Sequence, residues 1–167
     1  MQNNKLINIS DIIKAKNNIN NNIVETPLIY DFILSEKYNA KIFYKAENLQ
    51  RTGSFKIRGA YNKIYNTIIN NKPNGVLAWS SGNHAQGVAE AASIFNIKST
   101  IVMPKDAPDI KITGTKSRGA NIIFYNRKTQ NREEIGMGIA KKNSLLIIPP
   151  YDDRYEIAGQ GTMVWKS

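Results

Sequence analysis

Residues 76–95 read VLAWSSGNHAQGVAEAASIF and contain a strand, a loop and a helix in that order. Residues 76–79 are a short apolar run typical of a buried strand, and residues from about 85 to 95 have the composition of a helix. The loop between them, SSGNHAQG at 80–87, is rich in Ser, Gly and Asn. A buried strand that leads through such a loop into a helix predicts one unit of a parallel α/β sheet.

The same alternation continues to residue 148. The further predicted strands are 99–103 (STIVM), 121–125 (NIIFY) and 145–148 (LLII), and further helices are predicted over about 108–118 and 130–142. Strands that alternate with helices are joined by right-handed crossovers, which put helices on both faces of a parallel sheet. The predicted fold class is therefore α/β, with an open parallel sheet of four strands and helices on both faces. In such sheets ligands bind at the carboxyl edge, where the loop 80–87 is expected.

Before the sheet, the sequence predicts an opening helix over about 10–21, a strand at 41–45 (KIFYK) and a second helix from 54 to near 73. The second helix carries Lys56 in its first turn, directly after the segment TGSF. The helix dipole disfavours a cation at that end. The position of Lys56 therefore needs a functional explanation.

Composition excludes several classes of site. The chain of 167 residues has no cysteine and one histidine, which excludes disulfides, thiolate metal sites and zinc sites with several histidines. Its 23 basic and 13 acidic residues give a net charge of +10, but the basic residues are spread as singles and pairs. This pattern favours a solvated surface over nucleic-acid binding. No apolar run is long enough to span a membrane and no signal peptide is recognisable, so we expect a cytoplasmic protein without a metal site or a membrane partner.

The loop 80–87 has the residue types of an anion site. Ser80, Ser81 and Asn83 offer hydroxyl and amide donors, and the N–H groups of the following helix point back at the loop. A carboxylate or a phenolic oxygen would fit there. The same residue types also occur in ordinary loops that cap a helix, and a lone His84 is more often a structural imidazole than a ligand or a base. From the loop alone both interpretations stay open.

Four segments occur in the order KAENLQRTGSFKIRGAYNKI, SSGNHAQGVAEAA, IVMPKDAP and IAGQGT. Together they resemble the pyridoxal-phosphate enzymes of the threonine and serine dehydratase family, and among these the threonine dehydratases. The similarity extends from about Thr26 to Thr162, and the combination of SFKIRGA with SGNHAQG is highly specific. The resemblance implies the tryptophan-synthase-β-like fold, which is fold type II of the pyridoxal-phosphate enzymes.

The resemblance also implies roles for the residues of these segments. Lys56 is similar to the lysine that forms the Schiff base with pyridoxal phosphate and then acts as the base. Phe55 would pack against the pyridine ring, and Asn83 would donate a hydrogen bond to the 3′ oxygen of the cofactor. The substrate carboxylate would lie against the loop residues Ser80, Ser81, Asn83 and His84.

The implied reaction is the dehydration and deamination of L-threonine to 2-oxobutanoate and ammonia, as in isoleucine biosynthesis or threonine breakdown. In the related serine racemases a serine at the position of Ser81 acts as a second base on the opposite face of the substrate. Ser81 therefore leaves open a serine dehydratase with broader specificity, or an enzyme that resembles serine racemase. In either case the partner is a small hydroxyamino acid.

The sequence departs from the family pattern in two places. The family stretch before the paired aspartates usually reads His-Pro-Phe, whereas this chain has Pro149, Pro150 and Tyr151. The family also continues after IAGQGT with a glycine-rich loop that binds the cofactor phosphate, whereas this sequence stops at GQGTMVWKS. We therefore expect an N-terminal fragment of an enzyme whose full-length relatives are homo-oligomers.

The domain organisation expected for such a fragment is specific. Residues 74–150 should form a small α/β domain, and residues 1–73 and 151–167 should be parts of an incomplete large domain. A non-catalytic remnant that binds no cofactor alone is then the alternative to an enzyme.

Overall fold

The computed structural model describes residues 6–19, 21–71 and 73–164. The ends of the predicted segments 1–73 and 151–167 and part of the predicted helix 10–21 thus lie outside the described residues. In chain order the elements are α1 (Ile9–Ile19), β1 (Leu28–Tyr30), α2 (Phe32–Tyr38), β2 (Phe43–Lys45), α3 (Lys56–Ile68), β3 (Val76–Trp79), α4 (Asn83–Ile94), β4 (Ser99–Pro104), α5 (Asp109–Lys116), β5 (Asn121–Tyr125), α6 (Arg132–Asn143), β6 (Leu146–Ile147) and α7 (Arg154–Gly161). A short 3-10 turn, Glu47–Leu49, precedes α3.

The four strands β3 to β6 form one sheet in the order β5-β4-β3-β6, and every pair in it is parallel. The strand order puts β3 in the interior of the sheet, and its first three residues are fully buried. The predicted α/β fold with an open parallel sheet is confirmed.

Helices cover both faces of this sheet, as the alternation predicted. Side chains of β3 and β4 point alternately to the two faces, because successive residues of a strand do so. One face packs against α3 and α4 through Val76, Ala78, Ile101, Met103, Ala60, Ile64, Val88 and Ala89. The other face packs against α6 through Leu77, Val102 and Ala140. Helix α3 therefore shares its core with the sheet, which brings Lys56 close to the strand ends.

The segment before α3 contains a two-stranded antiparallel ribbon of β1 and β2, joined by α2. The strand predicted at 41–45 is present as Phe43–Lys45, but β1 and α2 have no counterpart in the sequence prediction. All three residues of β1 are exposed, as are Phe43 and Tyr44 of β2. In the described residues the ribbon is thus apolar and exposed on both faces.

The boundaries of several helices differ from the prediction for local reasons. Helix α3 ends at Ile68 rather than near 73, and residues 69–71 form a turn in which Asn70 and Asn71 donate to the carbonyl of Thr67. Asparagine favours turns over helix interiors. Helix α4 begins at Asn83, two residues before the predicted start, so that Asn83 and His84 belong to its first turn. Among the described residues, no helix has both the length and the apolar character needed to cross a membrane.

Candidate active site

Lys56 is the first residue of α3, and its amine lies beside the segment that follows β6. Lys56 Nζ donates a hydrogen bond to the carbonyl oxygen of Pro150 at 2.8 Å. The same nitrogen lies 5.5 Å from the ring centroid of Phe55, which is half-buried at the N-cap position and gives α3 no side-chain cap. The amine is thus held by a backbone oxygen, and none of the ion pairs between described residues involves it.

A buried ion pair fixes the first turn of α3. Arg58, two residues after Lys56, donates from Nε to Glu47 Oε2 at 2.9 Å and from Nη2 to Glu47 Oε1 at 2.7 Å. Arg58 also reaches the carbonyl of Val24 at 3.3 Å and the hydroxyl of Thr162 at 3.4 Å. A bidentate contact between a guanidinium and a carboxylate is geometrically specific. The turn that carries Lys56 is therefore anchored to three other segments of the chain.

The loop 80–87 follows β3 at the carboxyl edge of the sheet. Ser80 Oγ accepts a hydrogen bond from the backbone N–H of Gly82 at 3.3 Å, and Gly82 is the N-cap of α4 without a side-chain cap. A Cβ added at Gly82 would meet nothing within 4 Å. The space beside the N-cap is therefore open, and the first N–H groups of a helix without a side-chain cap favour an anion.

Helices α3 and α4 approach each other closely at Gly87. A Cβ at this position would lie 3.0 Å from the backbone nitrogen of Ile57 and 3.1 Å from the carbonyl carbon of Lys56. Asn83 precedes Gly87 by four residues and so lies on the same face of α4, one turn nearer its N-terminus. The glycine thus brings the start of α4 next to the start of α3.

His84 is buried at the start of α4, with 4% of its surface exposed. Its Nε2 lies 3.0 Å from the carbonyl oxygen of Ile148, which can only accept, so Nε2 carries the proton. The pKa of His84 is lowered from 6.5 to about 4, chiefly by burial and to a smaller extent by the charge of Lys56, while the hydrogen bond to Ile148 acts in the opposite direction. His84 is therefore neutral at pH 7, and its ring has no second donor to offer a carboxylate.

Asn83 has a charged partner that the sequence did not predict. Lys111 Nζ of α5 donates to Asn83 Oδ1 at 3.1 Å. Lys111 lies in the first turn of its helix, where the dipole disfavours a cation. The signal that singled out Lys56 would also have found Lys111.

Buried polar atoms without partners surround the start of α3. Within the described part of the chain, Ser54 Oγ, His84 Nδ1 and Glu156 Oε1 are buried and have no hydrogen-bond partner. Such atoms are uncommon in folded proteins and need an explanation. Ser54 is two residues from Lys56, and the charge of Lys56 influences the pKa values of both His84 and Glu156. The region around Lys56 therefore has unused hydrogen-bonding capacity.

Glu156 of α7 is the most buried ionisable group near Lys56, with 1% of its surface exposed. A Cβ at Gly59 would lie 2.3 Å from Glu156 Oε2, so the carboxyl group lies directly against the backbone of α3. Its pKa is raised to about 8, mainly by burial and also by Asp153, and this is the balance left after Lys56, Lys63 and a hydrogen bond from Gln160 have acted to lower it. Glu156 is therefore largely protonated at pH 7.

The predicted site residues occur at two helix starts that meet at Gly87. Phe55 and Lys56 are the N-cap and the first residue of α3, Asn83 and His84 are the first two residues of α4, and Ser80 and Ser81 lie in the loop that leads into α4. Sequence reasoning missed Lys111, Glu156 and the Pro150 carbonyl. No group of three or more His, Cys, Asp or Glu residues in the described ranges could hold a metal ion.

The chain is similar to one family of known enzymes over most of its length. The sequence pattern of the family described as "Pyridoxal-phosphate dependent enzyme" matches residues 19–166. L-threo-3-hydroxyaspartate ammonia-lyase of Saccharomyces cerevisiae is 45% identical over 152 residues, which are 91% of this chain and 47% of that protein. L-threonine ammonia-lyase of Thermotoga maritima is 46% identical over 158 residues, which are 95% of this chain and 39% of that protein.

A similar structure is that of maize serine racemase, with a TM-score of 0.90 and 33% identity over 95% of this chain and 48% of the racemase. The chain spans about half the length of the curated relatives it matches. These relatives differ in substrate and in reaction, so the shared features are those of the family.

Proposed function

The chain belongs to the family of pyridoxal-phosphate-dependent enzymes, and from this premise we propose that it is the part of an ammonia-lyase that carries the catalytic lysine. The proposed substrate is a β-hydroxy amino acid, with L-threonine first. The reaction is loss of water followed by hydrolysis to 2-oxobutanoate and ammonia. One observation carries the proposal: Lys56 begins α3 beside the uncapped start of α4, with unpartnered polar atoms around it.

The residues around Lys56 fit pyridoxal phosphate. Lys56 is the amine that would anchor the aldehyde, Phe55 offers an aromatic ring beside it, and the amide of Asn83 suits a phenolic oxygen. The unpartnered hydroxyl of Ser54 leaves one more donor for a polar group. When bound, the cofactor supplies the electron sink that makes the Cα proton of an amino acid removable.

Lys56 then has the role of moving that proton. Its Nζ donates to the backbone carbonyl of Pro150 at 2.8 Å, and among the described residues it forms no ion pair with a carboxylate. A freed amine at this place would take the Cα proton of the substrate. The Arg58–Glu47 pair keeps the turn in position while the side chain moves.

The N-terminus of α4 is the proposed site for the substrate carboxylate. Ser80, Ser81 and Asn83 lie at this end of α4, and the backbone N–H groups of its first turn are free of side-chain caps. Because the ring of His84 is neutral and buried, we propose that His84 binds the carboxylate through its backbone N–H and not through its imidazole.

A racemase activity is the second candidate, and Ser81 is the observation that favours it. Ser81 is half-buried, and none of the hydrogen bonds between described residues involves its hydroxyl. A free hydroxyl at the substrate loop could serve as a second acid or base. Racemisation of serine and elimination from threonine are distinguished by the product.

We further propose that residues 74–150 are a small domain and that residues 1–73 and 151–167 are parts of an incomplete large domain. The apolar ribbon β1–β2, exposed on both faces, supports this division. A remnant that binds no cofactor remains the alternative. The cytoplasmic location and the homo-oligomer expected from the sequence stay predictions.

The first experiment maps the lysine that reacts with the cofactor. The chain is incubated with pyridoxal phosphate, reduced with borohydride and digested, and modified lysines are identified by mass spectrometry. We expect Lys56 to carry the label at pyridoxal phosphate concentrations at which the exposed Lys116 carries little. The reason is that Lys56 lies among groups that would hold the pyridine ring of the cofactor. Label spread evenly over the surface lysines, and unchanged in Lys56→Ala, would contradict the proposal.

The second experiment separates the candidate substrates. The chain is completed with the complementary half of a threonine ammonia-lyase and supplied with L-threonine, L-serine or L-threo-3-hydroxyaspartate. The proposal expects 2-oxobutanoate from threonine and its loss in Lys56→Ala, by a factor of about 100 or more because lysine is both anchor and base. D-serine formed from L-serine, and lost in Ser81→Ala, would instead support the racemase.

A further inference from the structure

We propose that Lys111 is a positioning residue, which holds the side-chain amide of Asn83 with its NH2 group turned away from α5 and toward the cofactor. The inference rests on the proposed function, because only a cofactor with a phenolic oxygen gives this orientation a purpose. Lys111 itself need not touch the substrate or the cofactor.

The orientation of the Asn83 amide follows from the chemistry of its partner. Lys111 Nζ lies 3.1 Å from Asn83 Oδ1. An ammonium group has three donors and no acceptor, so it can only bind the oxygen of an amide. The NH2 group of Asn83 must then point away from Lys111, and Asn83 offers the rest of the site only donors. A pair of donors suits an oxyanion rather than a hydroxyl that must itself donate.

The packing of α5 on α4 makes this contact possible. A Cβ at Gly114 of α5 would lie 3.0 Å from the side-chain oxygen of Gln86 in α4, so the two helices approach closely at this pair. Lys111 and Asn83 each precede that pair by three residues, about one helical turn. The long side chain of Lys111 therefore reaches Asn83 from a fixed backbone position.

Asn83 also lies on the face of α4 that approaches Lys56. Gly87, one turn further along the same face, is in contact with the carbonyl carbon of Lys56 and the nitrogen of Ile57. Asn83 thus belongs to the face of α4 that approaches α3, while its side-chain oxygen is bound by Lys111 of α5. A cation in the first turn of α5 is disfavoured by the helix dipole, and its contact with Asn83 gives that position a use.

The first test examines the contact without any cofactor. The wild-type chain is treated with a limiting amount of an amine-acylating reagent, and the extent of modification at each lysine is measured by mass spectrometry. Lys116, exposed at the end of the same helix, is the internal reference. We expect Lys111 to react several-fold more slowly than Lys116, and to approach the rate of Lys116 in Asn83→Leu. Equal rates in the wild type would overturn the inference.

The second test examines the orientation. The amounts trapped on Lys56 by borohydride are compared for pyridoxal phosphate and for its analogue that lacks the 3-hydroxyl group, over a range of concentrations. The ratio of the two apparent affinities is expected to fall about 10-fold in Lys111→Met, since a hydrogen bond to a charged or oriented group is lost. Lys111→Arg, which keeps a donor, should retain most of the ratio, and Lys116→Met should leave it unchanged.

The outcomes separate the two proposals. A ratio that is the same in Lys111→Met and in the wild type would overturn the positioning role, even with Lys56 labelled as expected. A wild-type chain that traps no cofactor on Lys56 would contradict the proposed function, and with it the purpose assigned to the amide. Circular dichroism spectra of each variant, matched to the wild type, show that a changed ratio does not come from unfolding.

Discussion

His84 is the one histidine of the chain, so its ring signals in a proton NMR spectrum are free of overlap with other histidines. Its pKa is lowered to about 4, chiefly by burial, while an unfolded histidine titrates near 6.5. Between these values the unfolded chain binds more protons, so the stability contributed by the neutral ring is complete above pH 6.5 and is lost as the pH falls toward 4.

We therefore expect the free energy of unfolding to lose on the order of 3 kcal/mol through His84 over this range. The comparison is between the wild type and His84→Gln, whose amide can still donate to the Ile148 carbonyl. The variant should lose less stability on acidification, and the wild-type ring signals should not shift between pH 8 and 5.5. A ring that titrates near pH 6.5 in the folded chain would show that it is not buried as described.

The stability that depends on Glu156 changes with pH in the opposite direction. Its pKa is raised to about 8, mainly because it is buried, whereas an unfolded glutamate titrates near 4.5. The folded chain binds the extra proton, so stability is highest below pH 4.5 and falls as the pH rises to 8. Glu156→Gln keeps the volume without the charge, and it should raise the free energy of unfolding by about 3 kcal/mol at pH 7 and by little at pH 4. Urea unfolding at the two pH values measures this difference, and an equal effect at both would contradict it.

The sequence predicted part of the site and could not predict the rest. Lys56 stood out because a cation in the first turn of a helix is a local anomaly that needs no tertiary information. Glu156 did not, because its protonation depends on burial against Gly59, which is 97 residues earlier in the chain. The roles of Phe55 and Ser81 toward the cofactor and the substrate stay predictions.

At the scale of elements, the contact between α3 and α7 depends on two glycines. A Cβ at Gly159 would lie 2.5 Å from the carbonyl oxygen of Arg58 and 2.7 Å from the Cα of Gly59. These are backbone atoms, so neither can move without separating the helices. The start of α3, with Lys56, is held against α7 by this contact and by the Arg58 bond to Thr162.

Gly159→Ala should therefore lower the free energy of unfolding by about 1–3 kcal/mol. The matched control is Gly138→Ala in the interior of α6, where an added Cβ meets nothing within 4 Å. There alanine should raise stability by about 0.5–1 kcal/mol through its better helix propensity. Denaturant unfolding of both variants tests the pair, and two changes of the same sign would refute the packing argument.

The sequence predicted the central elements well and the N-terminal ones poorly, and the difference is physical. β3 and β4 are short apolar runs between helices, and burial on both faces makes such runs recognisable. β1 and α2 have only three and seven residues, and their apolar side chains show neither a strand period nor a helix period. Their conformation depends on tertiary contacts, so local patterns could not predict them.

The whole molecule exposes a large amount of apolar surface near its N-terminus. Phe32 and Ile33 of α2 are 76% and 79% exposed, and the ribbon beside them adds Leu28, Ile29, Phe43 and Tyr44. A two-stranded ribbon is marginal by itself, and apolar patches of this extent usually mark an interface. Because the chain spans about half of its curated relatives, the proposed cover is the polypeptide that corresponds to the other half.

We expect the 167-residue chain alone to self-associate and to be a poor dehydratase, because this face is uncovered and the proposed large domain is incomplete. Sedimentation velocity at increasing concentration should show oligomers in the wild type and mostly monomer in the double variant Phe32→Ser and Ile33→Ser. Ile110→Ser is the matched control, since Ile110 is 78% exposed on α5, outside the ribbon and α2, and its replacement should leave the oligomers unchanged. The same chain is also assayed with threonine and excess pyridoxal phosphate. We expect 2-oxobutanoate at an enzymatic rate only after the complementary half of the enzyme is added, because misplacement of the reacting groups costs on the order of 100-fold in rate. A monomeric wild-type chain with Lys56-dependent turnover would show that the described fold is sufficient by itself.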